Sequence, residues 1–225
     1  MSIRDNILKI REELAKADHP VTLVAATKMN GAEAVREAIA AGVDACGENR
    51  VQELLEKDAL GAYAGAPLHF IGHLQRNKVK YLVGRVDLIQ SVDSPELLRL
   101  IDSRSAALGT VQDVLLEVSI AGEAQKSGVE PERVPELLAL AGELKGLRVR
   151  GLMCVPPIQA VPGDNCRYFA RMRQLFVDNS VKKYNNVSMD FLSMGMTDDF
   201  REAVAEGANM VRIGSAIFGA REYGK

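Results

Sequence analysis

Short apolar runs alternate with amphipathic helical stretches from residue 21 onward, and this alternation restricts the fold more than any other feature of the chain. Runs at 21–26, 44–47, 69–73, 88–91, 114–118, 149–154, 189–193 and 210–213 read as eight short strands. The first three carry no charge through their middles, as parallel strands covered on both faces require. Helical stretches follow at 32–41, 51–57 and 77–83, and two later helices announce their starts with Asp93-Ser94-Pro95-Glu96 and Glu130-Pro131-Glu132, a proline in the first turn behind a capping residue. Strands alternating with helices imply a parallel sheet. Eight of them, with no dinucleotide-type glycine fingerprint, predict an α/β fold of one (β/α)8 TIM barrel over residues 1–225, with an open doubly wound sheet as the alternative. Residues 2–17 add an N-terminal amphipathic helix, with Ile3, Ile7, Ile10 and Leu14 on one stripe. The proline- and glycine-rich stretch 156–165, PPIQAVPGDN, is expected to be a mobile loop and not a linker.

Composition narrows the function by exclusion. With 225 residues, 47% hydrophobic and 26% charged, the chain can bury a large core. A net charge of -2 offers no basic footprint for nucleic acid. Cys46, Cys154 and Cys166 are too scattered for a disulfide framework or a zinc site, which suits a reducing compartment. The N-terminal helix lacks the continuous apolar run of a signal peptide or membrane span, so a cytoplasmic protein, and a monomer, is expected.

In a barrel the chemistry sits where strands end. Lys28 follows the apolar run 21–27 with nothing acidic nearby in sequence; desolvation favours its neutral amine, the form that attacks an aldehyde, although a strand-end lysine can also just extend to solvent. The last two strands end in Ser193-Met194-Gly195-Met196-Thr197 and Arg212-Ile213-Gly214-Ser215, where glycine backbone, hydroxyls and amides could hold a phosphate, or simply make ordinary turns. Arg212 interrupts an apolar strand and needs an acceptor, either a pyridine nitrogen or a carboxylate such as Glu48. Asn49, after Gly47-Glu48, could orient a ligand or cap the next helix. His69 reads as a hydrogen-bonded core residue; His73, at the exit of the strand, is more open.

Taken together, Ala26-Thr27-Lys28, the stretch GENRVQE from Gly47, HFIGHLQRNK from His69, Lys126-Ser127-Gly128, Arg150-Gly151-Leu152-Met153, LSMGMTDDF from Leu192 and VRIGSAIFG from Val211 resemble the pyridoxal phosphate homeostasis protein family, single-domain relatives of the alanine racemase N-terminal barrel. The resemblance implies pyridoxal 5'-phosphate as cofactor, held as a Schiff base on Lys28. Ser193 and the backbone at Gly214 and Ser215 would hold its phosphate, and Arg212 would face its pyridine nitrogen. Asn49 would lie beside the ring, with His73 and Met153 lining the site. Arg50, Leu68 and Cys154 depart from the usual pattern without removing a contact. The implied role is storage, buffering or delivery of the cofactor, with apo-enzymes as acceptors. Arginine at the ring nitrogen weakens the electron sink, and the chain ends at Lys225 without the second domain that brings racemases a tyrosine base, so proton transfer is expected to be slow. A weak racemase, and an aldolase using Lys28 on a phosphorylated sugar, are the enzymatic alternatives. Lys126, on a glycine-flanked loop, is expected either to assist release or to be an ordinary surface lysine.

Overall fold

The computed structural model describes residues 2–122 and 127–219. Eight strands, β1 (Thr22–Ala26), β2 (Ala45–Glu48), β3 (Leu68–Phe70), β4 (Leu88–Val92), β5 (Gln112–Val118), β6 (Leu147–Cys154), β7 (Val187–Ser193) and β8 (Met210–Ile213), pair in parallel in chain order. β8 returns to β1, with Val24 beside Arg212, so the sheet closes into a barrel. The helices around it are α1 (Ile3–Leu14), α2 (Ala32–Ala40), α3 (Val51–Ala59), α4 (Val79–Leu82), α5 (Pro95–Leu108), α6 (Val134–Glu143), α7 (Cys166–Ser180), α8 (Phe200–Ala205) and α9 (Ser215–Phe218).

Alternation along each strand sorts side chains to two sides of the sheet. Val24, Ala45, Leu88, Leu115, Met153 and Met210 pack with Phe191 as one cluster from seven strands, the filling of the barrel interior. Their neighbours Leu23, Ala25, Val211 and Ile213 form a separate cluster with Ile7, Ile10 and Leu14, the buried stripe of α1. That helix is fixed at its start by a reciprocal bond pair between Ser2 and Asp5, and it covers the seam where β8 meets β1. Ser94 caps α5 through Leu97, with Pro95 in its first turn.

Three expectations need adjustment. β3 stops at Phe70 instead of running to residue 73, because the chain turns at Gly72 onto the backbone of Asn49; a Cβ at Gly72 would lie 2.0 Å from the Asn49 carbonyl oxygen. The helix expected at 77–83 is a 3-10 turn, Arg76–Lys78, followed by the single turn of α4. The 156–165 loop is tied down at both ends. Asn165, buried, donates to Pro157 O (3.1 Å) and Asp199 Oδ2 (2.8 Å), and Gln159 donates to Asp198 O (3.0 Å). Lys126 and Tyr223 lie outside the described residues. Among those described, no helix is long and apolar enough to cross a membrane, and no cluster of His, Cys, Asp and Glu could hold a metal ion.

Candidate functional site

Barrel closure brings the C-terminal ends of β1, β2, β7 and β8 around one mouth. Ala26 pairs with Gly47, so Lys28 and Asn49, each two residues further on, leave adjacent strands at the same level. Lys28 is half-buried in the turn after β1. Asn49 does not cap α3, whose N-cap is Arg50. Its Oδ1 is buried and meets no donor among the described residues, a costly arrangement that a ligand hydrogen would relieve.

The two glycine-containing strand ends meet, as the sequence suggested, though on a different hydroxyl. Thr197 Oγ1 accepts from Ser215 Oγ (3.1 Å) and from the Ala216 amide (3.3 Å), which joins the turn after β7 to the start of α9. Gly214 sits close against the end of β1: a Cβ there would come within 3.3 Å of the Ala26 carbonyl oxygen. Two hydroxyls and a backbone amide thus converge at a partly exposed point suited to an oxyanion.

Ser193 lies deeper. Its hydroxyl donates to Gln90 Oε1 (2.7 Å) and accepts from the Arg212 guanidinium (2.6 Å). Arg212 also donates to the Cys154 carbonyl (2.8 Å), and Gln90 reaches His69 Nδ1 (3.0 Å). These side chains form one buried chain across the barrel interior. Burial works against the Arg212 charge, which the carboxylates of Glu117 and Asp199 help to retain, yet no carboxylate pairs with it directly among the described residues. Glu48, the alternative acceptor considered for it, is committed elsewhere: its Oε1 lies 2.5 Å from Lys57 Nζ and accepts from Tyr63 at 3.1 Å. With a hydroxyl and a carbonyl as its acceptors among the described residues, this buried guanidinium has hydrogens left for a further one.

The remaining expected residues occupy different depths. Met153 is part of the interior filling, on the floor of the mouth, and His73 is exposed at its rim. Glu117, on β5 beside Met153, was not singled out from the sequence; Ser127 donates to it at 3.0 Å, and burial holds its carboxyl above the ordinary range, with Asp93 adding to the effect. Gln90, Glu117 and Thr197 are the site residues that sequence reasoning passed over. The first two were visible as polar interruptions of apolar runs, LIQSV and LLEVS; Thr197 was quoted only within its motif. Lys28, the hydroxyl pair, Arg212 and the open Asn49 acceptor together fit a ligand with a reactive carbonyl, a phosphate and a ring acceptor atom, so the residues present fit pyridoxal phosphate.

Comparison with known proteins points the same way. The family described as alanine racemase, N-terminal domain, matches residues 1–222. A protein of Aquifex aeolicus named pyridoxal phosphate homeostasis protein is 42% identical over 221 residues, covering 98% of this chain and 96% of the relative. The solved structure of PipY from Synechococcus elongatus without PLP superposes with a TM-score of 0.89 at 33% identity, over 97% of this chain and 100% of PipY. PipY with PLP bound gives 0.83 at 32% identity, with the same coverage.

Proposed function

This chain belongs to the alanine racemase N-terminal domain family, alongside relatives named pyridoxal phosphate homeostasis protein, and on that footing we propose that it binds pyridoxal 5'-phosphate at Lys28 and stores, buffers or delivers it within the cytoplasm. The observation that carries this reading is the convergence, at one barrel mouth, of Lys28 with the Thr197–Ser215 hydroxyls and a guanidinium that has no carboxylate partner among the described residues. The bound cofactor supplies an aldehyde carbon for a reversible bond to an amine. Lys28 supplies that amine. Thr197, Ser215 and the Ala216 amide would take the phosphate, beside the backbone at Gly214. Ser193, whose hydroxyl accepts from Arg212, would orient that guanidinium, and Arg212 would face the ring nitrogen. Asn49 would lie beside the ring, with Met153 and His73 lining the site.

Arg212 can only donate, so it leaves the ring nitrogen without a proton and the ring a poor electron sink. Among the described residues, no tyrosine lies on a strand, and Tyr63 is turned away to Glu48 behind the sheet. These features favour a carrier over a racemase, and we propose that it acts as a monomer and passes cofactor to apo-enzymes. Loaded protein incubated with alanine in deuterium oxide tests this: hydrogen exchange at the α-carbon should stay at the level given by free pyridoxal phosphate. Exchange within seconds that vanished in Lys28→Ala would make the protein an enzyme.

A further inference from the structure

The turn that carries Lys28 has an unusual backbone and an unusual set of supports. Thr27 O accepts from Asn30 N (3.1 Å), which closes a four-residue turn with Lys28 second and Met29 third. Met29 has φ +62°, the left-handed region, where the third position of such a turn ordinarily calls for glycine. Packing does not explain it, since Met29 is 59% exposed. A bulky residue persists in this region only when its surroundings force it to.

The forcing groups come from one face of α3. Glu53 Oε2 accepts from the Met29 amide at 2.7 Å, just beyond Lys28. Lys57, four residues along the helix and almost fully buried, donates to the Thr27 carbonyl at 2.7 Å, just before Lys28. Lys57 is held in turn by Glu48 (2.5 Å) and Glu53 (3.5 Å), and the Thr27 hydroxyl donates to Glu48 at 2.5 Å. Asn30 Nδ2 closes the set on the Lys28 carbonyl at 3.0 Å. The backbone is thus gripped on both sides of Lys28 by charged side chains. Buried ion pairs are a poor way to gain stability where apolar residues of similar size would serve, so this one is better understood by what it holds in place.

We propose that Glu53, together with Lys57, is a positioning residue that clamps the 27–30 turn and sets Lys28 for capture of the cofactor. The inference rests on the reading that Lys28 is the residue that binds pyridoxal phosphate. Glu53 is the better residue to change, because removing Lys57 would strand the buried Glu48 carboxylate and endanger folding.

The experiment mixes unliganded full-length protein with pyridoxal 5'-phosphate and follows the growth of the visible band, with thermal unfolding of the unliganded protein as the control. Glu53→Ala should slow capture about tenfold while moving the unfolding midpoint little. Glu53→Gln, whose amide oxygen can accept the same N–H, should return the rate to within about twofold. Adding Met29→Gly to Glu53→Ala should also recover part of the rate, since glycine needs no support at φ +62°. Capture by Glu53→Ala at the wild-type rate would overturn the proposal. So would a slow Glu53→Gln, or a slowing that came with a matching loss of thermal stability and no rescue by Met29→Gly. If wild-type protein formed no band, or formed it equally in Lys28→Ala, the reading of Lys28 itself would fail, a result distinct from failure of the clamp.

Discussion

The hydrogen-bond chain that ends on Arg212 runs in one direction. Arg212 can only donate, so Ser193 receives from it and passes its own hydrogen to Gln90 Oε1, leaving the Gln90 amide to donate to His69 Nδ1. That last step requires a neutral His69. Burial secures it by pushing the imidazole from its ordinary 6.5 down to about 4. Between those two values the unfolded chain takes up a proton at residue 69 that the folded protein refuses, so stability falls as pH drops from about 6.5 toward 4 and is unaffected above it. Glu117, held above its ordinary range by burial, acts with the opposite sign, so the informative quantity is a difference between proteins. Wild type should lose roughly 2 to 3 kcal/mol more than His69→Gln between pH 7 and pH 4.5 in urea unfolding. Parallel losses in the two proteins would show that His69 is protonated inside the fold and that the chain does not run as described.

At the scale of elements, what could be read from the sequence depended on whether an element's limits were set locally. The eight apolar runs became eight strands, and β8 matched to the residue, because burial on both faces writes itself into a short run. β3 ended early for a reason that no local pattern carries: Gly72 is where the chain crosses Asn49, a contact between residues 23 positions apart. In the same way, Thr197 becomes a site residue only because α9 brings Ser215 and Ala216 to it. The loop at 156–165 looked mobile from its prolines and glycines, but Asn165 and Gln159 tie it to the Asp198–Asp199 turn beside the hydroxyl pair. The Gly72 crossing gives a prediction. Gly72→Ala places a methyl 2.0 Å from the Asn49 carbonyl oxygen, so β2 and the exit of β3 must separate. Thermal and urea unfolding should show a loss of about 1 to 3 kcal/mol or more, with weaker cofactor binding through the displaced Asn49. An alanine variant of wild-type stability would mean that this crossing is slack.

At the scale of the whole molecule, the site exists only because the barrel closes. Lys28 and Arg212 stand near opposite ends of the chain, yet β1 and β8 are neighbours, with Val24 paired to Arg212. The sequence could name the chemical groups, and the resemblance could say which ligand they suit, but the division of labour needed the structure: Ser193 belongs to the arginine, Thr197 to the hydroxyl pair, and Glu48 to the turn behind Lys28. We propose that all of these groups serve one covalent attachment point, Lys28. Protein loaded with pyridoxal 5'-phosphate, reduced with borohydride and mapped by peptide mass tests it most directly. A pyridoxyl group is expected on Lys28, in nearly stoichiometric amount, and should be lost in Lys28→Ala. A pyridoxyl group found mainly on another lysine, or labelling that survived Lys28→Ala unchanged, would contradict it.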